Sequence, residues 1–142
     1  MVEQGLKEGG LGIGVVPGYA PGTGYKELLA VQTLAANYKV PTYWHVRSEG
    51  DVDPLSAAQA YGEVISFAAA TESHVHICHL NSTSFRDIGL AVRMIRSAQR
   101  QGLNITVEAY PYGAASTAIG AAVHFTCRNE LREHRIPRKA VE

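Results

Sequence analysis

Cysteine is scarce in this sequence: there are two, Cys78 and Cys127, and no C-x-x-C pair. Two cysteines cannot build the disulfide framework of a small secreted domain. An excess of charge of one sign is missing as well. Thirteen Lys and Arg balance thirteen Asp and Glu, for a net charge of zero. That balance removes any global electrostatic argument for nucleic acid or an anionic membrane as partner. No apolar run reaches the length of a membrane span. The opening MVEQGLKEGG lacks the apolar core of a secretory signal. The expected setting is soluble and reducing, hence cytoplasmic. The one local charge excess is five basic residues between Arg128 and Lys139, set against Glu130 and Glu133. It reads as a solvated helix or a loose end.

What is present is a globular composition, 46% hydrophobic and 18% charged over 142 residues. It fits one domain, residues 1–142, that buries roughly two thirds of its unfolded surface. Apolar runs that read as strands lie at Leu11–Val16, Thr42–Val46, Val75–Leu80 and Ile105–Ala109. Their starts fall about 30 residues apart. Segments with helical spacing lie between them. One follows Thr23, with Leu28, Leu29, Val31, Gln32 and Ala35. A second carries Ala57, Ala60, Tyr61, Val64, Ile65 and Ala68. A third carries Phe85, Ile88, Ala91, Val92, Ile95 and Ala98. Asp53-Pro54 has the form of an N-cap followed by proline at the first helical position. Ser84 with Asp87 resembles a capping box. Gly102 stands where the third helix should end in a left-handed residue.

The order is therefore β-α-β-α-β-α-β, an α/β chain with four parallel strands and right-handed crossovers. Two architectures fit, an open doubly wound sheet and part of a (β/α)8 barrel. A full barrel needs roughly 250 residues, so this chain would supply about half of one.

Both architectures gather function at the carboxyl ends of the strands. The first strand opens into the loop PGYAPGTG. The second ends in Tyr43-Trp44-His45-Val46-Arg47-Ser48-Glu49, the third in His76-Ile77-Cys78-His79-Leu80-Asn81, and the fourth in Glu108-Ala109-Tyr110-Pro111-Tyr112. Strand alternation puts Tyr43, His45 and Arg47 on one face. It puts Val75, Ile77 and His79 together, and His74, His76 and Cys78 on the opposite side, toward the helices. Thr106, Glu108 and Tyr110 share a face. His45 and His79, both pointing inward at neighbouring strand ends, would lie close enough to share one metal ion, and imidazole is a common zinc ligand. His74 and His76 are read as structural, and Cys78 as a small apolar residue. Cys127, His124 and His134 fall outside the strand pattern and receive no role. Arg47 would orient the metal site or a substrate carboxylate. Tyr110 would donate to a developing oxyanion. The glycines form neither a Walker A motif nor a G-x-G-x-x-G fingerprint.

The stretches GGLGIGVVPGYAPGTGYKELLAV, PTYWHVRSEG, HVHICHLNSTS and VEAYPYGAASTAIGAA resemble the N-acyl-D-amino-acid deacylase (D-aminoacylase) branch of the amidohydrolase superfamily. The similarity covers roughly residues 8–122. Four such motifs in order at β/α spacing form a specific pattern. The resemblance implies a zinc-dependent TIM barrel that hydrolyses the amide of N-acyl amino acids, with the present strands as the fourth to the seventh. It implies His45 and His79 as metal ligands and Tyr110 at the substrate carbonyl. Ser116 would lie at the substrate carboxylate, and Tyr19 at the rim of the pocket.

The family also takes an H-x-H pair from its first strand, a cysteine or glutamate from an early strand, and an aspartate general base from its eighth. The chain contains no match to those segments. It is therefore expected to be inactive alone. It would complete its sheet with the remainder of a barrel or as a homo-oligomer, because Ile13, Val15, Val75, Ile77 and Ile105 would need cover on both faces of the sheet. The competing reading is a non-catalytic fragment, or a small-ligand-binding α/β module.

Overall fold

A computed structural model describes residues 1–50, 53–114 and 116–117. Readings that fall on Arg128–Lys139, His124, Cys127 and His134 lie outside the described residues. The described chain begins with a short helix that sequence patterning did not announce, α1 (Val2–Lys7). It then runs β1 (Ile13–Val15), α2 (Tyr25–Tyr38), β2 (Thr42–Trp44), α3 (Ala57–Thr71), β3 (Val75–Ile77), α4 (Leu80–Ser84), a 3-10 turn (Phe85–Asp87), α5 (Ile88–Arg100) and β4 (Ile105–Val107). All four strands pair in parallel, in the spatial order β1-β2-β3-β4. A doubly wound sheet reverses its strand order at a switch point. Here chain order and spatial order coincide, as in a barrel wall. The chain is one run of that wall.

Each strand is three residues long; β1 is shorter than its apolar run at both ends, and β2, β3 and β4 start with theirs and stop short at the carboxyl end. The side chains alternate in β1, β2 and β3, while in β4 only Ile105 is buried and Val107 is exposed. Ile13, Val15, Thr42, Trp44, Val75, Ile77 and Ile105 are buried. Trp44 stacks on Phe67 of α3, with ring centroids 5.6 Å apart. The residues between them, Gly14, Tyr43 and Thr106, are exposed, and His76 is half-buried. The helices therefore cover one face, and the other is the lumen side of the wall. This corrects the expected parity of β3. Val75 and Ile77 face the helices, while His76 and Cys78 face the lumen side. The five apolar strand residues thought to need two covers are all served by the helices. The lumen side is polar and aromatic.

The helix side carries one buried polar cluster. Gln32 of α2 accepts from Thr42 Oγ1 at 3.0 Å and from the Trp44 indole at 3.3 Å, and its amide donates to Ser73 Oγ. Among the described residues no buried side-chain N or O lacks a partner, which is the condition for a buried polar group to be tolerated.

Two helix starts differ from expectation. The N-cap of α3 is Ser56, whose hydroxyl accepts from Gln59 N at 3.2 Å. Asp53 supports it by accepting from the Ser56 hydroxyl, and the Asp53-Pro54 peptide is cis, outside the helix. Ser84 is not the cap of α5 either. It closes α4, donating to Leu80 O at 2.6 Å, and Asp87 stands at the N-cap of α5 with no side-chain hydrogen bond. Gly102 behaves as expected, with φ +90° just past α5.

Candidate metal centre

His45 and His79 do meet, but not by strand alternation. The register Trp44↔Ile77 would set His79 opposite Val46, a fully buried residue. The strand instead stops at Ile77, and His79 adopts φ 37°, ψ 53° as the N-cap of α4. That left-handed turn brings its ring round to His45, with centroids 4.9 Å apart. The start of α4 is pinned from two sides. The Tyr61 hydroxyl meets Thr83 Oγ1 at 2.6 Å, and Leu80 N donates to Glu108 O at 2.8 Å.

Hydrogen bonds engage Nδ1 of both rings. His45 Nδ1 lies 3.0 Å from the Val46 carbonyl. A carbonyl only accepts, so Nδ1 carries a proton and Nε2 faces away from the backbone. Ser82 Oγ donates to the His79 carbonyl at 3.1 Å and therefore accepts from His79 Nδ1 at 3.0 Å. Again Nε2 is the ring nitrogen left outside this hydrogen bond. This backbone- and hydroxyl-held arrangement is the usual support of a metal-binding imidazole. Burial, with the neighbouring His45 second, pushes the His79 pKa below its ordinary value, which favours the neutral, ligating form.

A residue that sequence reasoning passed over completes this end of the site. Glu49 Oε1 lies 3.4 Å from His45 Nε2. The signal was the spacing His45 to Glu49, one helical turn apart in number but set in a loop. Tyr19 packs edge-on against His45 at 4.8 Å, and its hydroxyl reaches Thr117 Oγ1 at 3.0 Å. Gly18 permits this approach, because a Cβ there would stand 3.0 Å from Val46 O and 3.1 Å from Arg47 O. Tyr110 lies 6.1 Å from His79 between ring centroids. Asn81, also unanticipated, fixes it by bonding both its carbonyl, at 2.9 Å, and its amide, at 3.2 Å. Ser116 is exposed, next to the Thr117 that Tyr19 touches.

Arg47 departs from this group. Its guanidinium forks onto Glu63 of α3, with Nε–O distances of 3.2 and 3.1 Å and an Nη2–O distance of 3.0 Å. It also donates to Thr23 O at 3.1 Å. It lines, with Tyr25, Ser48 and Glu63, a cavity of about 480 Å³ on the α2–α3 side. The strand ended at Trp44, so alternation no longer governs Arg47.

No protein-family model matches this sequence, and no curated protein matches it. Solved structures do. N-acyl-D-glutamate deacylase from Bordetella bronchiseptica, complexed with zinc and a phosphonate mimic of the reaction tetrahedral intermediate, superposes with a TM-score of 0.67 at 24% identity. The match covers 79% of this chain and 24% of that one. A D-aminoacylase described as defining a novel subset of amidohydrolases gives 0.66 at 23% identity, over 78% of this chain and 23% of its own. A D-aminoacylase studied for the functional role of its binuclear metal centre gives 0.66 at 21%, again over 78% and 23%. The chain shares the fold of these barrels and spans about a quarter of their length. No helix among the described residues is long and apolar enough to cross a membrane.

Proposed function

We propose that this chain is a wall segment of a metal-dependent amidohydrolase barrel that hydrolyses the amide bond of N-acyl amino acids, the D series among them. The observation that carries the reading is the meeting of the His45 and His79 rings at adjacent strand ends, each with Nδ1 engaged by a hydrogen bond. The donor set suits a zinc-type divalent cation. Such an ion, when bound, supplies Lewis acidity at the amide carbonyl and activates water. His45 and His79 would hold it, with Glu49 Oε1 3.4 Å from His45 Nε2. Tyr110, positioned by Asn81, donates its hydroxyl toward the developing oxyanion. Ser116 offers a hydroxyl to the substrate carboxylate, and Tyr19 walls the pocket beside His45. Arg47 is left out of the carboxylate contact because Glu63 occupies its guanidinium. A reducing, cytoplasmic setting is part of this proposal.

Two histidines fall short of the three protein ligands of a catalytic zinc site. The remaining donors would come from the rest of a barrel or from a second copy of the chain. The pure 142-residue chain is accordingly expected to show no hydrolysis of N-acetyl-D-amino acids above background. Chelator-sensitive turnover by that chain would show the ligand set to be complete. The direct test is imidazole 15N NMR during zinc titration. The Nε2 resonances of His45 and His79 should move together, and His45→Ala should suppress the response of His79. An unchanged His79 response in that variant overturns the shared site.

A further inference from the structure

On the lumen side, near the foot of this centre, lies a second convergence of ligand atoms. His76, Cys78 and Glu108 each bring one donor atom to within 4.8 Å of the other two. None of them belongs to the His45–His79 pair. They come from β3, from the residue that follows β3, and from the residue that follows β4. The third ladder sets His76 against Thr106, and just past it Glu108 N bonds Ile77 O at 3.1 Å. The backbone therefore fixes the spacing before any side chain is chosen.

The side chains are also prepared. The Thr106 hydroxyl lies 2.8 Å from His76 Nδ1 and 2.9 Å from His74 Nε2. It has one proton to give, so at least one imidazole must donate to it. With His76 donating from Nδ1 and His74 accepting, His76 Nε2 would be available to a cation lying between it and Glu108, whose Oε2 is 3.5 Å away. Tyr43 packs against the same ring at 5.5 Å. Thiol sulfur, imidazole nitrogen and carboxylate oxygen thus converge with no cationic side chain among them. That combination of soft, intermediate and hard donors is the set that zinc accepts.

We propose that His76, Cys78 and Glu108 form a second divalent-cation site, selective for a zinc-type ion, that ties β3 to β4 on the lumen side. Thr106 orients His76 from outside the coordination sphere. Three protein donors leave a fourth position open on this chain. The site differs from the His45–His79 pair in one measurable respect, because only it contains sulfur.

The test uses cobalt(II) as a spectroscopic substitute for zinc on the 142-residue chain carrying Cys127→Ser, which leaves Cys78 as the only thiol. Thiolate coordination gives an intense sulfur-to-cobalt charge-transfer band in the near ultraviolet. The band is expected to saturate at one ion, to vanish in Cys78→Ser, and to persist in the His45→Ala/His79→Ala double variant. His76→Ala and Glu108→Gln should weaken binding by about tenfold or more, and Thr106→Val by roughly 10-fold, the scale of losing an outer-shell partner. Persistence in the double variant separates this site from the proposed hydrolytic centre, so either can fail without the other. Absence of the band, or its loss with His45 and His79, overturns the proposal. Circular dichroism checks the fold of each variant. Should Cys78→Ser not fold, alkylation of Cys78 in the Cys127→Ser chain decides the matter. Zinc should slow it at least tenfold, and an unchanged rate overturns the site.

Discussion

The two faces of the four-stranded sheet carry the same number of strands and entirely different chemistry. On the helix side, Trp44, Val75 and Ile77 have no exposed surface, and the polar groups Gln32, Thr42 and Ser73 satisfy one another. On the lumen side, His74, His76, Thr106 and Glu108 answer to each other and to open space. Burial energy accumulates on the first face. The second is built from groups that hold protons and lone pairs, and hydrophobic association would not be its natural use. Stability and chemistry are thus separated by one peptide unit along each strand, since neighbouring residues alternate between them.

The sharpest way to break this division is to truncate one large aromatic residue on each face. Trp44→Ala should cost about 3–5 kcal/mol, the range for deleting a buried aromatic from a packed core. Tyr43→Ala, its neighbour with 41% exposure, should stay within about 0.5 kcal/mol. Urea denaturation of both variants measures the contrast, and comparable losses would erase the distinction between the faces. Gln32→Leu comes next. It strands the Thr42 hydroxyl, which donates to the Gln32 carbonyl on the dry side, and removes the Ser73 donor, at about 1–3 kcal/mol, read in the same way. Ser56→Ala removes the side-chain cap of α3 and should cost about 1 kcal/mol, read as a lower thermal midpoint.

The smallest effect belongs to the lumen end. His79 has its folded pKa below the unfolded value, so the unfolded chain binds the proton more readily. Metal-free stability is therefore complete above the unfolded histidine pKa of about 6.5 and falls as pH drops through that value toward the folded pKa. His79→Gln should flatten this limb in a pH series of denaturation curves run with chelator. A limb of the same slope in that variant would assign the proton uptake elsewhere.

The order of elements and the barrel-like winding were legible because apolar runs and helical periodicity mark what must be buried. Ile13, Val15, Val75 and Ile105 all proved to be core. Which face they shared was not legible. Strand alternation, extended as far as His79 on the premise that both histidines belong to strands, groups Val75 and Ile77 with His79. The strand ends two residues earlier, and a backbone turn at His79 itself reverses the count. The same premise misplaced Arg47, which leaves its strand and finds Glu63 in α3, sixteen residues on. Counted from Trp44, a tryptophan that belongs with the helices, the parity would have come out right and would have put His76, Cys78 and Glu108 together. Glu49 and Asn81 act from loops and helix starts, where periodicity carries no information. The α3 cap was missed because Asp53-Pro54 offered a stronger local signal than Ser56 three residues later.

His79 occupies a backbone region that L-residues avoid, with φ 37°. Glycine enters that region freely, and for other residues the conformation costs of order 1–3 kcal/mol. The chain thus retains an imidazole at a bend where the easiest monomer would be the one with no side chain at all. Replacing it should give a firmer molecule: His79→Gly is expected to melt at or above the parent temperature in the absence of metal while no longer packing against His45. A position where loosening the chemistry tightens the chain is one that physical stability alone would not have filled with histidine.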